Sequence, residues 1–252
     1  SDLATYFALH TEINSVILAQ RVLAGSQSIP LLAIPFFVCA GVFMNYTGVT
    51  KRIVDFCEAV VGNIIGGVGH VTVLVATLMG GLSGSNLADA AMEAKMLVPE
   101  MEKRGFSKAF GSVLVATSAI ITPLIPPGIA MIIYGSIANV SIGKLFVAGI
   151  GPGVILCVTL MILVALVSYK RGYRSTIKVD TSAARVWKTF RGAFLPLCLP
   201  VIIIGGIRIG AFTPTEAGSV AIVYSLFLGF IYREMTLKDV IRGMKETVLT
   251  SS

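Results

Sequence analysis

Apolar residues in this chain gather in long unbroken runs, with the polar residues collected between them. Residues 29–46 and 145–169 carry no charge at all, and 194–209 carry only Arg208. With their flanks these runs reach the ~20 residues a helix needs to cross a bilayer. The pattern predicts crossings at 29–48, 145–169, 194–209 and 217–232. Residues 1–28 differ, because Asp2, His10, Glu12 and Arg21 are scattered among apolar residues, which suits a helix lying on the membrane surface.

Two further apolar segments are interrupted. Between 66 and 99, one arm (68–79) runs into Gly80-Gly81-Leu82-Ser83-Gly84-Ser85-Asn86 and a second arm (87–98) follows. Neither arm spans alone, and both flanks are basic, with Lys51 and Arg52 before and Lys103, Arg104 and Lys108 after. Both ends then face the cytoplasm, and the segment reads as a re-entrant hairpin. The second has short arms at 109–121 and 129–138, separated by Thr122-Pro123-Leu124-Ile125-Pro126-Pro127-Gly128, and reads as one proline-broken crossing. Basic residues mark 170–191 and 233–245 as cytoplasmic, leaving 139–144 and 208–216 outside. Every basic loop falls on one side under this single topology.

Composition agrees: 55% of the 252 residues are hydrophobic and 13% charged, against about 25% charged in a soluble domain. The fold class expected is an all-α polytopic membrane protein. The net charge of +7 lies in the connecting loops, without the aromatic-interleaved patch of a nucleic-acid surface. Cys39, Cys57, Cys157 and Cys198 sit in apolar runs without metal or redox spacing, and His10 and His70 stand alone. No nucleophile–base pair or phosphate loop is present, so the chain is not read as an enzyme. It opens on Ser1-Asp2, with neither an initiator Met nor a signal peptide, and is expected to be a trimmed or partial product.

The two breaks carry the candidate chemistry. Unpaired backbone groups in hydrocarbon cost several kcal/mol each, so irregular backbone at that depth lines protein or a water-filled cavity. Paired discontinuous helices of this kind form the anion and Na⁺ sites of secondary transporters. At the first break Gly80, Gly81 and Gly84 relax the backbone, while Ser83, Ser85 and Asn86 offer oxygens suited to an alkali cation. At the second, Pro123, Pro126 and Pro127 free upstream carbonyls, and Thr122 adds a hydroxyl. Asp89 and Glu93, one turn apart, are candidates for function or for pairing with Lys95. Lys144 and Arg208 read as interfacial anchors or as contacts for an anionic substrate or docking protein. Phe212-Thr213-Pro214-Thr215-Glu216-Ala217 reads as a capped helix start.

Five motifs in order resemble the large membrane subunit of tripartite ATP-independent periplasmic (TRAP) transporters. They are Leu32-Ala33-Ile34-Pro35-Phe36-Phe37; Ser83-Gly84-Ser85 with Ala88-Asp89-Ala90-Ala91; Pro123-Leu124-Ile125-Pro126-Pro127-Gly128; the segment from Ser141 to Gly149 with Pro152-Gly153; and the motif at 212–217. The likeness covers about residues 21–234. It implies half of an inverted-repeat, elevator-type, Na⁺-driven importer of organic anions in the bacterial inner membrane, working with a small four-helix membrane subunit and a periplasmic substrate-binding protein. By this resemblance Ser83, Gly84, Ser85 and Asn86 form a hairpin tip that shares a Na⁺ site with Thr122, Pro123, Ile125 and Gly128, and Ser85, Asn86, Pro126 and Pro127 face the substrate, a dicarboxylate, sialic acid or sugar acid. Asn86 and Gly128 depart from the family, which more often has a small residue and Ser there.

The expected divisions are 1–65 (interfacial helix and scaffold crossing), 66–138 (hairpin and broken helix), 139–212 (crossings and the basic loop 170–191) and 213–252 (start of the second repeat). The rest of that repeat, with its half of the substrate site, is expected to be missing. The competing readings are a dicarboxylate/sodium symporter that needs no binding protein and a non-transporting scaffold subunit.

Overall fold

The computed structural model describes residues 29–83, 86–173 and 181–251, with only the backbone of residues 29, 83 and 86–88. Its elements are a 3-10 turn Ile29–Leu32, α1 Ala33–Tyr46, α2 Val49–Val61, α3 Gly67–Ser83, α4 Asn86–Lys103, α5 Lys108–Ser118, a second 3-10 turn Thr122–Leu124, α6 Ile129–Ala138, α7 Ile142–Arg171, α8 Ala183–Arg208, α9 Pro214–Tyr232 and α10 Leu237–Ser251. No strand occurs among the described residues.

The helix starts follow from local capping chemistry. Ser107, Ser182 and Thr213 each accept a hydrogen bond from the backbone N–H three residues on, satisfying one of the donors a helix start leaves free. At α9 the arrangement is reciprocal, with Glu216 Oε2 accepting from the Thr213 N–H at 2.7 Å and Pro214 at the first helical position. This is the capped start that the motif predicts.

Helix α3 is the axis of the molecule. It packs against α1, α2, α4, α5, α7, α8 and the second 3-10 turn, so it is surrounded and apolar on nearly every side, as a fully enclosed helix must be. Val73, Val75, Ala76 and Met79 are all inaccessible. The hydroxyls of Thr72 and Thr77 donate to carbonyls one turn back, which removes their cost in the core.

Helices α7, α8 and α9 are each long and apolar enough to cross a membrane. The pairs formed by the first turn with α1 and α2, and by α5 with α6, pass the same test but bend by 71° and 44°. Helix α7 leaves Val154, Ile155, Val158, Ile162 and Leu166 exposed. A continuous apolar face of this size on a 30-residue helix suits lipid. The molecule is a multi-pass helical membrane protein.

Several sequence expectations need correction. The surface helix at 1–28 lies outside the described residues. The crossing at 29–48 is a 3-10 turn followed by only 14 helical residues. Gly48 then turns the chain with φ at +66°, a conformation natural to glycine, into the amphipathic α2. The first hairpin arm does not stop at Gly80, since α3 runs on through Gly80, Gly81 and Leu82 to Ser83. Of the basic segment 170–191, residues 170–171 and 183–191 are helical, and 174–180 lie outside the described residues. Helix α7 extends to Arg171 and α8 starts at Ala183, because Ser182 caps a run of residues with good helix propensity. Positive charge reports the side of the membrane and is silent about backbone conformation.

Candidate functional site

The proline break sits at the centre of the molecule. Helix α5 ends at Ser118, Thr122–Leu124 forms the 3-10 turn, Ile125 is extended, Pro126–Pro127 is a cis bond, and Gly128 precedes α6. The break meets part of its own hydrogen-bonding need, with Ile121, Leu124 and Ile125 donating backwards to the carbonyls of Ser118, Ile121 and Thr122. The carbonyl of Pro123 turns back onto Gly128 and occupies the place of a Cβ there.

Four glycines on two helices make room for this segment. On α3, a Cβ on Gly80 would lie 2.8 Å from Thr122 Cα, and one on Gly81 would lie 2.9 Å from Pro200 Cγ and 3.2 Å from the Pro126 carbonyl oxygen. On α7, a Cβ on Gly149 would lie 2.6 Å from the Leu124 carbonyl oxygen, and one on Gly153 would lie 2.5 Å from Ile125 Cδ1. The segment from Thr122 to Pro126 is therefore held between α3 and α7, most tightly where Gly80 and Gly149 face its backbone atoms. Gly149 and Gly153 were not among the predicted site residues; their four-residue spacing in an apolar helix, the small-residue pattern of close membrane helix contacts, is the signal that marks them.

Of the predicted residues, the structure brings Thr122, Pro123, Ile125, Pro126 and Gly128 into one segment against the last turns of α3. Pro127 completes the cis bond. Helix α4 also touches the 3-10 turn. Ser83 and Asn86 end α3 and begin α4, with only their backbone described, and Gly84 and Ser85 lie outside the described residues. Thr122 is wholly buried, its Oγ1 has no hydrogen-bond partner among the described residues, and the same holds for Ser118 Oγ one turn earlier.

Asp89 and Glu93 turn inward, at 0% and 1% exposure. Among the described residues exposed Lys95 forms no ion pair, and neither carboxylate oxygen of Glu93 has a hydrogen-bond partner. The expected option of pairing with Lys95 does not hold, because a two-residue step places Glu93 and Lys95 on different faces of a helix.

The charged residues sort to two ends. Lys144 and Arg208 line one cavity of about 580 Å³ with Ser141, Val147 and Ile207. About 35 Å away, taking 1.5 Å per residue along α8 from Arg208 to Arg185, the basic segments of the other end converge. Arg52 pairs with Glu234 at 2.9 Å and stacks on Tyr232. Arg104 pairs with Glu58 and, at 3.0 Å, with Glu100, and Arg185 lies 3.9 Å from Glu58.

The family model described as "Tripartite ATP-independent periplasmic transporter, DctM component" matches residues 1–252. The chain is 44% identical over 235 residues to the sialic acid TRAP transporter large permease protein SiaM of Vibrio cholerae, covering 93% of this chain and 55% of that protein. It is 46% identical over 225 residues to the 2,3-diketo-L-gulonate TRAP transporter large permease protein YiaN of Escherichia coli, covering 87% and 52%. With the C4-dicarboxylate TRAP transporter large permease protein DctM of Pseudomonas aeruginosa the figures are 41% over 224 residues, 88% and 52%. The chain thus spans about half the length of these relatives. The match along the whole chain, on a helical membrane architecture, makes it a member of the DctM family of TRAP transporter large membrane subunits.

Proposed function

We propose that the protein containing this chain imports organic anions across the bacterial inner membrane by Na⁺-coupled secondary transport. It does so with a small membrane subunit and a periplasmic substrate-binding protein. The observation that carries the reading is the packing of the proline break against Gly80 and Gly81 of α3. The interrupted segment meets the last turns of α3 inside the molecule, and Thr122 and Ser118 bring buried hydroxyls without hydrogen-bond partners among the described residues to that place. Oxygen atoms beside free backbone carbonyls are the hard donors an alkali cation selects.

In this reading the ends of α3 and α4, with Ser83, Gly84, Ser85 and Asn86, form the tip of a re-entrant hairpin. Residues 66–138 form the moving core, 1–65 the scaffold, and 213–252 the start of a second repeat whose own broken helix completes the substrate site. The hairpin core would carry ion and substrate together in an elevator motion. Substrates are expected among the carboxylates named for the relatives, namely sialic acid, 2,3-diketo-L-gulonate and C4-dicarboxylates. Reliance on a binding protein is favoured over a lone symporter or a scaffold subunit because these relatives are large permeases of tripartite transporters.

The test is uptake by the full-length complex in proteoliposomes. Accumulation should collapse when the Na⁺ gradient is removed, and accumulation that persists would sink the coupling. Replacing Ser83 and Ser85 together by Ala should weaken the dependence of uptake on Na⁺. An unchanged Na⁺ response would remove the hairpin tip from the site.

A further inference from the structure

We infer that the cavity between α2 and the first turns of α8 binds the phosphate of an anionic phospholipid headgroup. It measures about 630 Å³ and is lined by Arg52, Asp55, Arg185, Lys188 and Thr189, with Ser182 at its rim.

The charge balance favours an anion. Arg52 is compensated by Glu234 at 2.9 Å. Arg185 approaches Glu58 only at 3.9 Å, and Glu58 is already held by Arg104. Lys188 is exposed and makes no ion pair among the described residues. Asp55 is the only carboxylate among the described residues of the lining, and among these residues Arg185 and Lys188 leave net positive charge. The cavity also follows the N-terminal turns of α8, where the aligned peptide dipoles add to the attraction. Basic pockets between membrane helices at the cytoplasmic side are suited to lipid phosphates.

A stripe of aromatic rings beside the cavity favours a lipid over a dissolved anion. Trp187, Phe190 and Phe194 follow one another along α8 with ring centroids 5.9 and 5.7 Å apart, and Phe56 of α2 packs on Phe190 at 5.7 Å. Trp187 is 63% exposed and Phe194 49%, and both lie on a helix long and apolar enough to span. Amphipathic rings at the start of a spanning helix belong at the headgroup level. A dissolved anion would gain nothing from this surface, whereas a phospholipid can set its phosphate among Arg185, Lys188 and the helix start and lay its acyl chains along the rings.

Trp187 is the only tryptophan of the chain and serves as the reporter. The full-length permease is placed in phosphatidylcholine nanodiscs containing a small, equal fraction of either dibromo-phosphatidylglycerol or dibromo-phosphatidylcholine. The Trp187 signal is isolated by subtracting that of Trp187→Phe. Brominated phosphatidylglycerol should quench Trp187 more strongly, and Lys188→Gln should reduce that preference by up to about fivefold, the usual weight of one basic side chain at an anionic surface. Lys188 is exposed and has no ion pair to lose among the described residues, so this variant should fold as the parent does. Lys170→Gln, which removes a basic residue outside the cavity, should leave the preference intact.

Equal quenching by the two lipids overturns the proposal. So does a Lys170→Gln effect as large as that of Lys188→Gln, which would mean diffuse surface charge. Loss of the preference on adding inorganic phosphate alone would make this a site for free anions and would likewise overturn it.

Discussion

At the scale of single residues, the glycines around the proline break divide by what surrounds them. A methyl group on Gly80 would press on the Thr122 backbone, which cannot move aside as a side chain can. Gly80→Ala is therefore expected to lower stability by ~1–3 kcal/mol, the usual cost of overpacking, and to impair uptake. Gly151, on α7, has nothing within 4 Å of its would-be Cβ, so Gly151→Ala should be neutral or slightly stabilising through helix propensity. Thermal unfolding of the purified full-length permease compares the two, and equal losses would contradict the close approach. Glu93 presents the opposite case, a buried carboxyl group with no hydrogen-bond partner among the described residues. Glu93→Gln keeps the shape and removes a group whose charged form burial disfavours. Its melting temperature should match or exceed that of the parent, and a clear drop would mean that the carboxylate is held by a partner.

At the scale of elements, the seat of the break on α7 is unequal along its length. The methyl group of Gly149→Ala would meet the Leu124 carbonyl oxygen, whereas that of Gly153→Ala would meet only the end of the Ile125 side chain. The first substitution should cost more in both stability and uptake, and a reversed order would contradict the placement of Leu124 and Ile125 between α3 and α7. Arg104, 6% exposed, joins α2 to α4 through Glu58 and Glu100. Glu58 and Glu100 are partly exposed and keep Arg185 and Lys103 nearby, so Arg104→Gln should cost ~1–2 kcal/mol, the weight of the charge-assisted hydrogen bonds lost, read as a lowered unfolding midpoint.

Across the whole molecule, the charged residues define two ends that the membrane must separate. Lys144 and Arg208 line a cavity at one end, and Arg52, Arg104 and Arg185 converge at the other. With the positive-inside orientation, a cysteine placed at Lys144 should react with an impermeant thiol reagent added to intact cells. A cysteine placed at Lys188 should react only in inverted vesicles. Labelling of both from the same side would refute the topology.

Much of this was legible in the residue pattern. Apolar runs of crossing length declare membrane helices because few other packings hide so many consecutive apolar residues. The broken helix showed itself because proline removes a donor wherever the chain folds, and the Thr213 and Glu216 cap because both partners lie within one turn. The motifs also carried the family. Other features depend on partners distant in sequence. Gly80 and Gly81 read as turn residues, yet they lie inside α3, because glycine marks equally a flexible backbone and a place where another backbone comes close. Only Thr122 and Pro126, some forty residues away, distinguish the two. Likewise the inward face of Glu93, the glycine seat on α7 and the meeting of Arg52, Arg104 and Arg185 arise from helices packing side by side. The sequence by itself determined what each segment is and which side of the membrane its ends favour, since hydrophobicity, charge and capping act locally. The tertiary structure decided which segments touch, because contact between them depends on their arrangement around α3.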